Sequence, residues 1–166
     1  MKNHLRKLQN PLVRSALFLL FTLAYFNMII PLRETIMIQV NTTIRENLPA
    51  HIFVEEEGKR AMNLGVSNTN KIYKIRMSYG MNFFIGVLGL IIISAPRKYF
   101  WIEFIIQAVC GVIIFITAYL GIVFLNHFLV ISDLFSIYLL PLSSLIMVIL
   151  AFIEKKHAKE HVVHEG

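Results

Sequence analysis

A chain of 166 residues with 57% hydrophobic and only 16% charged residues carries more apolar surface than a soluble domain of this size can bury. Its mean hydropathy of +0.66 excludes a disordered chain, and its single cysteine excludes an internal disulfide scaffold. The net charge of +6 flanks apolar stretches and is not interleaved with aromatics as a nucleic-acid groove requires, so the reading is a small integral membrane protein with no nucleic-acid partner.

Four apolar stretches lie near residues 12–32, 79–95, 100–125 and 128–153. A helix crossing about 30 Å of hydrocarbon needs about 17–25 such residues. The runs are uninterrupted, which argues for helices and against a barrel of alternating strands. The expected fold is therefore all-α: one membrane domain over 1–166 with four transmembrane helices and an external loop over 33–77. The first stretch has a basic start at Lys2, Arg6, Lys7 and Arg14 and ends in Asn27-Met28-Ile29-Ile30-Pro31. It outruns the apolar core of a typical signal peptide, and no small-x-small site follows, so it reads as an uncleaved signal anchor.

In the loop, Ile36, Val40 and Ile44 recur at helical spacing up to Pro49. A second apolar patch, Ile52, Phe53, Ala61, Met62 and Leu64, surrounds Glu55-Glu56-Glu57, and Gly65, Ser67 and Asn68 read as a stop. The pattern predicts one or two short amphipathic helices capping the bundle. Asn41-Thr42-Thr43 matches a glycosylation sequon, which has no meaning in a bacterial chain.

The approach to the second stretch, Lys74 to Asn82, is the most distinctive polar patch. Arg76 and Tyr79 sit where interface anchors sit. Gly80, Gly86 and Gly89 form a small-residue stripe and Asn82 offers an interhelical amide. Arg76, Tyr79, Gly80, Asn82, Gly86 and Gly89 are therefore the candidate partner contact, the alternative being packing within the chain. Asn27 is a second amide of the same kind, near the end of the first stretch.

In the third stretch Glu103 and Gln107 share a helix face one turn apart and are the candidate intramembrane polar residues. Trp101 marks the interface, so the expected arrangement for Glu103 is a shallow ion pair with Arg97 or Lys98. A contact to another subunit and a proton or ion site are the alternatives. Cys110 reads as a buried small residue; on one continuous helix it lies about 25 Å from His127, too far for a nucleophile pair. Asn126 and His127 mark the turn of a helical hairpin, and Ser132 with Asp133 fits a helix amino-terminal cap. His157, His161 and His164 share a face but fall in a short terminal tail. No metal, cofactor or catalytic residue is expected.

Orientation follows from the basic residues. Lys2, Arg6, Lys7, Arg14, Arg97, Lys98, Lys155, Lys156 and Lys159 fall on one side, and Arg33, Arg45, Lys59, Arg60, Lys71, Lys74 and Arg76 on the other. The short connections decide: Arg97-Lys98 in one, none in the hairpin. Both termini are expected in the cytoplasm and the loop over 33–77 outside, in the periplasm for a bacterial source.

Several blocks carry a family likeness: Asn10-Pro11-Leu12-Val13-Arg14, Ala24-Tyr25-Phe26-Asn27, Ile30-Pro31-Leu32-Arg33-Glu34, Lys71-Ile72-Tyr73-Lys74 and Ser78-Tyr79-Gly80-Met81. In these the chain resembles the small four-helix membrane proteins encoded beside bacterial exosortases, in particular the exosortase-X-associated type. Exosortases are polytopic cysteine proteases that sort carboxyl-terminally tagged proteins at the cell surface. This chain lacks their catalytic set, since Cys110 has no placed His or Arg. The resemblance thus implies a non-enzymatic accessory subunit for protein sorting or surface-polymer export in a bacterial inner membrane, with the bilayer and another polytopic, exosortase-like protein as partners. The competing expectation is a small homo-oligomeric transporter or channel, for which Glu103, Gln107, Thr117 and Asn82 would be the polar path.

The topology is testable. In a cysteine-free background, a cysteine at Glu56 is expected to react with a membrane-impermeant thiol reagent in intact cells. A cysteine at Lys156 is expected to react only after lysis; labelling of position 156 in intact cells would contradict the orientation.

Overall fold

The computed structural model describes residues 10–164 apart from 58, 68 and 125, and only the backbone of 56–57 and 159–164. Lys2, Arg6 and Lys7, and the side chains of Lys159, His161 and His164, lie outside the described part.

Helix α1, Pro11–Ala24, opens on a good cap: the Asn10 side chain accepts from the Leu12 N–H at 3.0 Å, and Pro11 needs no donor in the first turn. A widened π-turn, Tyr25–Ile29, follows, closed by the Ile30 N–H on the Tyr25 carbonyl. Pro31 explains it. Proline has no N–H for the carbonyl of Asn27 and its ring crowds that carbonyl, so the helix swells by one residue and continues. Helix α2, Ile30–Glu46, is that continuation. The helical spacing of Ile36, Val40 and Ile44 is thereby met, but the expectation that the first helix ends near Leu32 is corrected. The rod of 36 residues is about 54 Å long at 1.5 Å per residue, well beyond the about 30 Å of a hydrocarbon core.

The rest of the loop is a sheet. Strands β1, Ile52–Glu57, β2, Ala61–Val66, and β3, Lys71–Arg76, form an antiparallel meander in which Leu64 pairs with Val54 and Tyr73. This corrects the amphipathic helices expected for the second patch, and with them the all-α class: the protein is mostly helical with a small three-stranded sheet. The period is two. Met62, Leu64 and Val66 are buried together with Tyr73 and Ile75, while a bulge between Val54 and Glu56 breaks the alternation of β1.

Helix α3, Met81–Ile92, has 12 residues and is about 18 Å long, too short to cross. The apolar stretch over 79–95 contains two residues that turn the chain: Tyr79 and Ser94 adopt left-handed backbone angles (φ 59° and 52°). Among the described residues three helices are long and apolar enough to cross a membrane: Pro11–Glu46, Arg97–Val123 and His127–Ala158. The four expected spans are corrected to these three, with α3 as a shorter apolar helix beside them.

Helix α4 is Arg97–Val123; α5, His127–Leu134, returns beside it as the expected hairpin. Gly121 permits the close turn, since a Cβ there would lie 2.6 Å from Leu129 Cγ and 2.8 Å from its backbone nitrogen. A second π-turn, Phe135–Leu139, precedes Pro141 and leads into α6, Leu140–His164. The Ile-Pro-Leu of α2 and the Leu-Pro-Leu of α6 thus produce the same widening for the same reason.

The inner face of the meander packs Met62, Leu64 and Ile75 into one core with Ile114, Ala118 and Leu129 of the hairpin. At the opposite end Leu90, Ala95, Tyr99 and Ala151 pack together; there the ammonium of Lys98 pairs with Glu154 at 2.6 Å and that of Lys155 donates to the Ile93 carbonyl. The α1–α3 seam is aromatic: Tyr25 stacks on Phe84 with ring centroids 4.4 Å apart.

The free edge of β3 is closed by α5 and the π-turn that follows it. The Lys74 N–H donates to Asp133 Oδ1 at 2.8 Å, and the Ser136 hydroxyl donates to the Lys74 carbonyl at 2.6 Å. Asp133 is therefore not a helix cap as its position suggested, because α5 already begins after Asn126. Ser132 faces the hairpin and donates to the Ile114 carbonyl. Replacing Asp133 by Leu leaves the Lys74 N–H without an acceptor and is expected to cost about 1–3 kcal/mol. Asp133→Asn keeps Oδ1 and is expected to cost far less. Melting in detergent checks this, and equal melting points for the two variants would contradict the strand-to-helix bond.

Candidate functional site

The alternation that buries Tyr73 and Ile75 sends Lys74 and Arg76 to the other face of β3. Arg60, next to the start of β2, and Arg33, in the first turn of α2, meet them around a cleft of about 390 Å³. A helical side chain leans toward the helix amino terminus, so Arg33 reaches back toward the loop before α3. Its Nη2 donates to the Met77 carbonyl at 3.1 Å and lies 3.3 Å from where a Gly80 Cβ would be, which makes Gly80 the residue that admits the guanidinium.

Arg33 is only 8% exposed. Its Nε has no hydrogen-bond partner, and among the described residues it makes no ion pair. The neighbouring carboxylate, Glu34, is bonded to Arg60 Nε at 3.1 Å instead. A second part of the lining is apolar: Tyr25, Phe26, Ile30, Met81 and Phe83. One cleft thus combines four cationic side chains with an aromatic and aliphatic wall.

Gln107 and Ser136 also line it. Gln107 joins the cleft to a polar network inside the bundle: its amide nitrogen lies 3.1 Å from Glu103 Oε1, 3.2 Å from Ser144 Oγ, 3.4 Å from the Leu140 carbonyl and 3.5 Å from Ser143 Oγ. The Ser144 hydroxyl donates to Glu103 Oε1, while Glu103 Oε2 is buried with no hydrogen-bond partner among the described residues. Gln107 Oε1 accepts from the Tyr79 N–H at 3.4 Å. Burial raises the Tyr79 phenol above its ordinary range, and the phenol donates to the Phe104 carbonyl.

These positions sort the expected residues. Arg76, Gly80 and Asn82 line the cleft. Tyr79 packs beside it, its ring 5.0 Å from Phe83 and 5.2 Å from Phe104. Gly86 and Gly89 face α6 of the same chain: a Cβ on Gly86 would lie 2.8 Å from Ser144 Cβ, and one on Gly89 3.0 Å from Val148 Cγ2. Glu103 and Gln107 do share a face, but the shallow ion pair is corrected. Glu103 is fully buried, Lys98 is bonded to Glu154, and Arg97 sits 6.0 Å from the Trp101 ring. Asn27 bonds to the Leu23 carbonyl of its own helix, and Cys110 is buried in the core. Among the described residues no cluster of three His, Cys, Asp or Glu is placed to hold a metal.

The sequence places Lys74 in the polar patch before α3, but Arg33 and Arg60 carry no site assignment there and join the cleft only through the fold. Arg33 gave no signal of this, because Pro31 two residues before it reads as the end of a helix, whereas the rod continues through it. No family model, curated protein or solved structure matches this chain.

Because Gly86 meets Ser144, Gly86→Leu is expected to destabilise the isolated protein by about 1–3 kcal/mol through overpacking. Melting in detergent checks it; an unchanged melting point would show that the stripe faces outward.

Proposed function

We propose that this chain is a non-enzymatic accessory subunit of a membrane system for surface-protein sorting or surface-polymer export, acting beside a polytopic, exosortase-like protein in a bacterial inner membrane. In this reading both termini are cytoplasmic and the meander stands outside. The cleft is its working part and holds an anionic group for the larger system. The observation that carries this is Arg33. A buried guanidinium with no carboxylate costs several kcal/mol, and such a charge at a membrane is a functional group by default. An incoming anion supplies the missing countercharge. Asn82 and Met81 are exposed at the cleft, and Arg76 is exposed on β3, so a partner can reach the same place from the side.

Co-expression with the exosortase-like protein of the same organism tests the reading. The two are expected to co-purify in mild detergent, and Arg76→Glu or Asn82→Trp is expected to reduce recovery severalfold without changing the yield of this chain. Failure of the wild-type chain to co-purify with that protein would contradict it. The transporter reading draws on the network around Glu103, which reaches the cleft through Gln107. It requires that reconstituted vesicles show an ion or proton flux abolished by Glu103→Gln; the accessory reading expects no flux that depends on Glu103.

A further inference from the structure

We propose that the cleft is a binding site for the phosphate group of a membrane amphiphile. The inference rests on the reading of the cleft as the working part and names what it takes. Four lines of observation converge.

The first is charge and shape of donors. Arg33, Arg60, Lys74 and Arg76 line one cleft, with Glu34 alone drawn off to Arg60. A phosphate monoester carries between one and two negative charges and three terminal oxygens, enough to engage several guanidiniums at once, each by paired N–H bonds. Arg33 offers an unpartnered Nε at a site where it is nine-tenths buried, so its donor geometry is held before any ligand arrives.

The second is room. At about 390 Å³ the cleft is more than ten times the roughly 30 Å³ share of one water, space for a headgroup and the start of its chain. The third is the apolar wall. Phe26 and Met81 are half-exposed on it, and the same α1–α3 seam opens again at its other end into a hollow of about 370 Å³ lined by Phe18, Leu19, Ile91 and Ile92, with Arg14 and Ser15 at the start of α1. A free anion has no use for such a wall; an acyl or isoprenoid chain has.

The fourth is depth. Helix α3 is about 18 Å long beside an α4 of about 40 Å, so the cleft at its amino-terminal end lies part-way along the apolar face of the hairpin. A ligand attached to the bilayer arrives at that level directly, with its head toward the sheet and its chain along α1.

The experiment uses the full chain in nanodiscs of phosphatidylcholine, with dioleoyl phosphatidic acid as the amphiphile and inorganic phosphate as the free anion. Native mass spectrometry and a titration read binding. Wild type is expected to retain one phosphatidic acid against the phosphatidylcholine background, and millimolar inorganic phosphate is expected not to displace it. Arg33→Gln and, independently, Arg76→Gln are each expected to weaken binding about tenfold, as for loss of a charge-assisted bond. Arg76 is exposed on an outward strand face, so its variant reports on the site even if Arg33→Gln misfolds. Equal binding of inorganic phosphate would overturn the amphiphile. Phosphatidic acid binding unchanged by both variants would place it elsewhere and overturn the site. If neither probe binds while Arg76→Glu still releases the exosortase-like partner, the phosphate assignment fails and the accessory reading survives. Phosphatidic acid bound in a chain that never associates with the partner gives the reverse.

Discussion

The architecture turns on two hydrogen bonds at one residue. An edge strand beside a membrane must satisfy its outward N–H and C=O, and at Lys74 both are met by side chains of the returning helix, Asp133 and Ser136. This clamp holds the meander against the hairpin. It also decides which face of β3 looks where. With Tyr73 and Ile75 committed to the core, Lys74 and Arg76 have only the cleft side left. Ser136 lies in the π-turn that precedes Pro141, so the clamp depends in turn on a proline-widened helix. The other π-turn begins with Tyr25, whose buried ring forms part of the opposite wall. Two prolines in two rods therefore shape two sides of one site, in keeping with the frequent occurrence of π-turns at functional places.

Much of the scaffold was legible. Long apolar runs with a polar break at Asn126-His127 specify the hairpin, and the four-residue spacing of Ile36, Val40 and Ile44 specifies a helix. The errors have physical causes. Hydropathy weighs Tyr79 and Ser94 as members of an apolar run, whereas their left-handed backbone angles end the helix between them. The meander hid because its first strand carries a bulge and three glutamates, so period-two alternation appears only over Ala61–Val66 and Lys71–Arg76. Pro31 reads as a stop, yet in a rod supported by aromatic packing it costs one widened turn.

The cleft was the least legible feature, since its cations come from positions 33, 60, 74 and 76 on three separate elements. Only tertiary structure brings them together. The approach around Arg76, Gly80 and Asn82 was visible as an unusual polar patch; the residue that gives the patch its chemistry, Arg33, was not. Glu103 shows the converse. The helix face it shares with Gln107 was readable, but its burial and its partner depend on how Lys98 and Glu154 meet across the bundle. With Lys98 engaged there, Glu103 is left to Gln107 and Ser144, and a polar thread extends from the cleft into the helices.

The central claim is that Arg33 is held in the cleft for an anion from outside the chain. A cryo-electron microscopy map of the protein in nanodiscs containing phosphatidic acid tests it most directly. The account expects non-protein density in the cleft, bonded to the Arg33 and Arg76 guanidiniums, with a chain running into the α1–α3 seam. A cleft filled only by water, with Arg33 swung out to share the Glu34 carboxylate, would contradict it.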